Sequence, residues 1–256
     1  MINVILIPVY KTTLTAEESF SLKACLEVLG GHDIVFVAPD SLNLEVYYSI
    51  CQRSIRVERF DDSFFKSIGG YNTLLLSSSF YQRFLFYDYM LIYQLDCYVF
   101  KDELEYWTGL GYDYIGAPWL LYGLDTMGSY EKFQFKIRRL TSYLMGSFNK
   151  MHICYRVGNG GFSLRNIKVL YEHLKKTNSD TLNKYKSDDS FSLYNEDVYW
   201  SLSNGVRKPN YTIGCRFSLE SFPEIGMRFN KGELPFGCHA WKKEFHFWSK
   251  YISFKS

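Results

Sequence analysis

The chain has 256 residues, a formal net charge of +2, 47% hydrophobic side chains and 22% charged ones. This is an ordinary globular balance with enough apolar material for a core, and it excludes a binder that holds nucleic acid through a bulk basic field. Its 22 Tyr and 21 Phe exceed what a core alone needs, and such rings offer flat faces to sugars and nucleobases.

Residues 3–8 (NVILIP) are a short β-branched run ending in proline, the pattern of a first buried strand. Residues 15–29 follow with helical spacing, with Thr15 as cap and Gly30-Gly31 as stop. Residues 33–38 (DIVFVA) predict a second strand, so the chain opens with a βαβ unit and a parallel sheet. A weaker strand is expected at 56–60, a helix over 71–86, and a strong apolar strand at 89–94 with Asp96 just past its end. Residues 112–117 predict another strand, leading to Pro118-Trp119. The stretch 120–154 is the least regular part and reads as a basic insertion. Within it Lys132, Lys136, Arg138, Arg139 and Lys150 stand against Glu131 alone. A glycine-rich approach at 158–164 leads into a strand and then a helix over 166–176, followed by a polar loop at 178–190. Residues 195–203 predict a short helix, and the remainder reads as strands alternating with loops up to Phe247.

No linker or internal repeat divides the chain, so residues 1–256 read as one α/β domain. Six cysteines without a CxxC pair predict free thiols in a reducing compartment. The opening MINVILIPVYK lacks the basic leader of a signal peptide, and no stretch approaches the roughly 18 apolar residues of a spanning helix. The expected location is cytoplasmic.

In open α/β sheets ligands gather beyond the carboxyl ends of the strands. Those ends carry Pro8, Val9, Tyr10 and Lys11, then Asp40, Asp96 and Trp119, and later His239. Asp96 projects a carboxylate from a rigid strand, where a hard cation could bridge it to a diphosphate; a turn-forming Asp is the plainer reading. Asn195 is placed to cap a helix whose first turn holds Glu196 and Asp197. The helix dipole alone favours acids there, and one of the two could also take a proton from an acceptor hydroxyl. Gly158, Asn159, Gly160 and Gly161 either form a tight turn or let the backbone approach a ligand, and their spacing fits neither a dinucleotide loop nor a Walker loop. His239, beside Cys238 and Trp241, is either a packed residue or a cation ligand.

The order and company of these motifs resemble the GT-A glycosyltransferases. INVILIPVYK is similar to their first strand and nucleotide-facing loop, LIYQLDCYVF to the strand of their acidic metal motif, VGNGGFSLR to their acceptor-side strand, and NEDVYWS to the acid pair that supplies the base in inverting members. Together with FYQRF, GYDYIGAPW and LPFGCHAW they resemble a bacterial glycosyltransferase-like family found in surface-polysaccharide gene clusters. The resemblance implies a GT-A (Rossmann-like) fold with a mostly parallel central sheet flanked by helices. It also implies a donor nucleotide sugar with uridine as the expected base, and a saccharide or lipid-linked saccharide acceptor.

The donor is then expected over Pro8, Val9, Tyr10, Lys11 and Asp40, with Mn²⁺ or Mg²⁺ on Asp96 and His239. Trp119, Asn159, Gly160 and Gly161 would shape the sugar and acceptor pocket, and Asp197, or else Glu196, would be the base. The usual Asp-any-Asp reads here as Asp96-Cys97-Tyr98, so a second carboxylate is missing, and Lys11 or Arg83 is the alternative partner for the diphosphate. An inactive sugar- or nucleotide-binding protein on the same fold, and a nucleotidyltransferase, are the competing readings. The basic stretch 132–150, with apolar residues interleaved, reads either as a solvated helix over the core or as a peripheral contact with the inner face of an anionic membrane.

Overall fold

Val4, Ile5, Leu6 and Ile7 are all inaccessible to solvent, which is why the chain opens on a continuous apolar run: the strand is covered on both faces. The computed structural model describes residues 1–123, 126–189 and 192–254. Its first half holds β1 (Asn3–Pro8), α1 (Ala16–Leu29), β2 (Asp33–Pro39), α2 (Glu45–Cys51), β3 (Arg56–Phe60), α3 (Ile68–Leu75), α4 (Ser78–Gln82), β4 (Tyr89–Tyr93), β5 (Tyr98–Val99), α5 (Leu104–Gly109) and β6 (Tyr114–Pro118). The second half holds α6 (Ser129–Leu144), β7 (Val157–Asn166), α7 (Ile167–Lys176), α8 (Ser179–Asn183), α9 (Glu196–Leu202), α10 (Tyr211–Phe217), β8 (Ser218–Leu219), α11 (Pro223–Phe229), β9 (Gly237–Cys238) and α12 (Phe245–Trp248).

The main sheet has six strands in the order β3-β2-β1-β4-β7-β6. β3, β2, β1 and β4 pair in parallel, while β7 runs antiparallel to both β4 and β6. Ile5, Ile7, Phe36 and Leu91 pack on one face against Leu22, Cys25 and Leu29 of α1. Val4, Leu6, Val35 and Ile92 pack on the other against Leu74, Phe80, Leu170 and Trp200. Each large apolar side chain so buried contributes about 1.5–3 kcal/mol. A small sheet, β5-β9-β8, sits over a separate cluster containing Leu219, Trp241 and Trp248. All six cysteines are buried and free.

Thr15 caps α1 as expected, in a reciprocal pair: its hydroxyl accepts from the Glu18 N–H and Glu18 accepts from the Thr15 N–H. Four expectations are corrected. The helix over 71–86 is two short ones, because Ser77 takes an extended conformation and its hydroxyl restarts the chain by accepting from the Phe80 N–H. The polar loop contains α8, capped by Asn178; Ser190, at its end, lies outside the described residues. The irregular stretch contains the sixteen-residue α6, while its Leu124 and Asp125 lie outside the described residues. The C-terminal part is mainly helical: Asn210 caps α10 and Pro223 opens α11, each helix being only seven residues and too short to declare a period.

Candidate active site

Two adjoining clefts open where β1, β4, β7 and α9 meet. The larger, about 700 Å³, is lined by Tyr10, Tyr71, Gln94, Trp119, Asn159, Gly160, Gly161, Glu196, Asp197, Glu220 and His239, among others. The smaller, about 220 Å³, lies between the end of β1 and the start of α1, with Pro8, Tyr10, Lys11, Tyr47 and Asp96 in its wall. Tyr10 and Gln94 belong to both, so the two form one groove.

The glycines of β7 explain how the groove is floored. They are strand residues with ordinary φ, so the tight-turn reading of 158–161 is corrected. Their lack of a side chain admits neighbours instead: a Cβ would collide with the Trp119 indole at Gly158, with Glu196 Oε1 at Gly160, and with the His239 ring at Gly161. Three side chains that line the groove are thus seated directly on one bare strand.

Glu196 and Asp197, indistinguishable in sequence, have different surroundings. Both oxygens of Glu196 are held by Arg165 of β7, Nη2 to Oε1 at 2.9 Å and Nη1 to Oε2 at 3.2 Å. Arg165 is fully buried and also donates to Tyr81 and Ser163. Among the described residues no cation forms an ion pair with Asp197, and Arg165 lowers its pKa only weakly. Burial, and then the charge of Glu196, push its pKa up to about 7, against the Val198 N–H that it accepts. The expected cap of α9 is also corrected: the Asn195 side chain makes no cap bond. Asn72 of α3 accepts from the Glu196 N–H and donates to Asn195 Oδ1.

His239 stands between two carboxylates, Nε2 at 3.2 Å from Asp96 Oδ1 and Nδ1 at 3.3 Å from Glu220 Oε1. Burial opposes its charged form, but the two acids outweigh it and raise the pKa to about 10. In turn, burial opposes ionisation of Asp96 and Glu220, while His239 holds both below the usual carboxylate range. Asn159 donates to the other oxygen of Glu220 at 2.7 Å. Among the described residues neither ring nitrogen of His239 has a well-aligned hydrogen bond, although both are buried. Paired with two acids, His239 is an imidazolium and must give up a proton to ligate a metal, whereas the half-exposed Asp96 carboxylate beside it is the oxygen ligand that a hard cation prefers. Cys97 lies within the same cluster, but its thiol donates to the Gly161 carbonyl and burial pushes its pKa well up, which makes it a poor ligand for such an ion.

Not every expected residue reaches the groove. Val9 packs into the core, and Asp40 lies at the end of β2 outside both clefts, its N–H bonded to Phe60 O. Arg83 stacks over the Phe60 ring at 4.1 Å, donates to the Arg59 carbonyl and lines neither cleft. Lys11 lines the smaller cleft, with its ammonium 2.6 Å from Glu18. The larger cleft offers Lys66 and Lys243, cations that the sequence reading did not single out, and Lys150, which it placed only in the basic insertion. Gln94 and Glu220 were missed as well. Read two residues earlier, the acidic triplet is Gln94-Leu95-Asp96, with both ends on the groove and an amide at its first position. Glu220, at the end of β8, carried no spacing signal beyond its place ahead of His239.

A family model described as "Protein of unknown function (DUF5672)" matches residues 54–239. No curated protein matches the chain. Among solved structures, the galactosyltransferase LgtC in complex with donor and acceptor sugar analogs is similar over 99% of this chain and 97% of that chain, at 15% identity and a TM-score of 0.55. An active-site mutant of LgtC is similar over 92% of this chain and 86% of that chain, at 17% identity and a TM-score of 0.55. Mouse xyloside xylosyltransferase 1, in its apo form, is similar over 93% of this chain and 97% of that chain, at 12% identity and a TM-score of 0.48. The likeness to LgtC is one of fold, and it bears out the α/β architecture with a mostly parallel sheet expected of a GT-A protein.

Proposed function

The chain belongs to the DUF5672 family, and we propose that residues 1–256 act as one glycosyltransferase unit, moving a sugar from a nucleotide diphosphate donor to a saccharide or lipid-linked saccharide acceptor. The observation that carries this reading is Asp197, a carboxylate with a pKa near 7 in the same groove as the Asp96–His239–Glu220 cluster. A base poised near neutrality and a place to neutralise a departing diphosphate are the two things such a transfer needs.

The nucleotide lies in the smaller cleft over Pro8, Tyr10 and Lys11, and the sugar and acceptor occupy the larger one beside Trp119, Asn159, Gly160 and Gly161. Asp197 takes the proton of the acceptor hydroxyl. The acceptor oxygen bonds to the anomeric carbon as the bond from that carbon to the phosphate oxygen breaks, its electron pair leaving with the diphosphate. This single displacement inverts the anomeric centre. Asp96 and His239 would hold Mn²⁺ or Mg²⁺, and such an ion would neutralise charge on the leaving group. Lys66, Lys150 and Lys243 add positive charge around it. Glu196, held by Arg165, anchors α9 so that Asp197 faces the groove. Surface-polysaccharide assembly on the cytoplasmic side of a membrane is the setting this chemistry suits.

The test is a panel of nucleoside diphosphate sugars, read by thermal shift and by release of the nucleoside diphosphate, with proton NMR of the product's anomeric configuration. A donor present at a hundred dissociation constants stabilises by about 2.7 kcal/mol. A shift and release with one donor, giving an inverted product, supports the reading. A retained configuration removes Asp197 as base, and no shift with any donor removes the transferase.

A further inference from the structure

The helix α6 is amphipathic the wrong way round for a core element. At about 100° per residue, Tyr130, Phe133, Ile137, Leu140 and Leu144 form one stripe. These five are between 44% and 75% exposed, and no residue of α6 is buried. The half-buried positions Phe135, Arg139 and Ser142 mark the side turned to the body, and on the helix wheel they lie nearly opposite the apolar stripe. A helix that only covered the core would carry its apolar residues on that inner side. The stripe therefore faces outward, flanked by Lys132 and Lys136 on one side and Arg138 on the other.

We propose that α6 is a membrane-docking helix, which lays the stripe formed by Tyr130, Phe133, Ile137, Leu140 and Leu144 into the headgroup region of an anionic bilayer. Charge selects this occupant. The segment from 131 to 150 has five basic residues and one acid, so a second copy of α6 placed against the stripe would meet like charge on both flanks, whereas anionic lipid complements it. No helix among the described residues is long and apolar enough to cross a membrane, so the contact is peripheral. The chain leaves α6 through Lys150 and Ile153, which both line the larger cleft, so docking brings that cleft's rim toward the lipid surface. This inference does not rest on the transfer chemistry, and vesicle binding and donor binding fail separately.

The test is co-sedimentation of the full chain with vesicles of phosphatidylcholine alone and with added phosphatidylglycerol, at low and high salt. Binding is expected only with the anionic lipid and should weaken with salt. Each lysine near such a surface is worth about fivefold in partitioning, so replacing Lys132 and Lys136 by Gln should lower it roughly 25-fold. Replacing Phe133, Ile137 and Leu140 by Ser should abolish it. Because these side chains are exposed, the melting temperature should not fall, which separates loss of docking from loss of fold. Absence of sedimentation with anionic vesicles overturns the proposal, as does undiminished binding by both variants. A concentration-dependent dimer that the serine variant dissolves would instead assign the stripe to a second copy.

Discussion

Arg165 Nη2 and Glu196 Oε1 lie 2.9 Å apart under the floor of the larger cleft, with Arg165 fully buried and Glu196 nearly so. A pair of this kind is costly to break from one side, because the remaining charge is left in a poor solvent. Glu196→Gln should therefore destabilise the protein by roughly 3 kcal/mol in urea unfolding, the low end of the range for removing one partner, since the amide keeps the shape and one acceptor. Activity should fall with the folded fraction. An unchanged denaturation midpoint with lost turnover would make Glu196, not Asp197, the base.

Asp197 should behave in the opposite way. Its folded pKa, near 7, lies above that of an unfolded Asp, so the native state holds the proton more tightly. Its contribution to stability is then full below the unfolded value of about 3.9 and is lost as pH rises through about 7. Asp197→Asn should flatten that loss and leave the protein as stable or more so at pH 8. Turnover needs the ionised form, so wild-type kcat should rise through pH 7. The Asn variant should lose about 10²–10⁴ in kcat with donor binding nearly intact. The measurements are unfolding at several pH values and a pH–rate profile; equal loss of donor binding and turnover would count against the assignment.

How far the sequence reaches is visible at these residues. The Thr15 cap, the apolar runs of β1, β2 and β4, and the position of Asp96 follow from local spacing, and the structure places them accordingly. The choice between Glu196 and Asp197 does not, because it depends on Arg165, 31 positions away, which reaches Glu196 only once β7 and α9 pack. Asn72 caps α9 from 124 positions away, so Asn195 was the natural choice from local order. Glycine spacing announced a special backbone at 158–161 but could not say that side chains, not positive φ, require it. The outward stripe of α6 was present as interleaved aromatics, but which side faces the body is a tertiary fact.

Gly161→Ala tests that last point about the glycines. An added methyl collides with the His239 ring and crowds the Gln94 amide, both of which close the groove. Overpacking at such a site costs about 1–3 kcal/mol, so the variant should fold with a lowered melting temperature. The displaced ring should also weaken Mn²⁺ binding. Gly31→Ala, where nothing lies within 4 Å of the new methyl, is the matched control and should bind Mn²⁺ as wild type does. A Gly161→Ala protein with undiminished Mn²⁺ affinity would show that His239 is not a ligand.

Mn²⁺ binding by the wild type should need both Asp96 and His239. The two are 3.2 Å apart, the carboxylate is half exposed to the smaller cleft, and among the described residues both imidazole nitrogens lack an aligned hydrogen bond. Titration of Mn²⁺ by calorimetry, with a nucleoside diphosphate present, should give one site per chain. Asp96→Asn removes charge but keeps shape, and His239→Ala removes the nitrogen ligand. Each should lower affinity at least about tenfold, on the scale of an altered ligand shell. The nucleotide alone should still shift the melt in both variants if Tyr10 and Lys11 carry part of its binding. Equal Mn²⁺ affinity in all three proteins would place the ion away from Asp96 and His239, whereas no binding by the wild type would leave charge neutralisation to Lys66, Lys150 and Lys243, and activity should then survive treatment with a chelator.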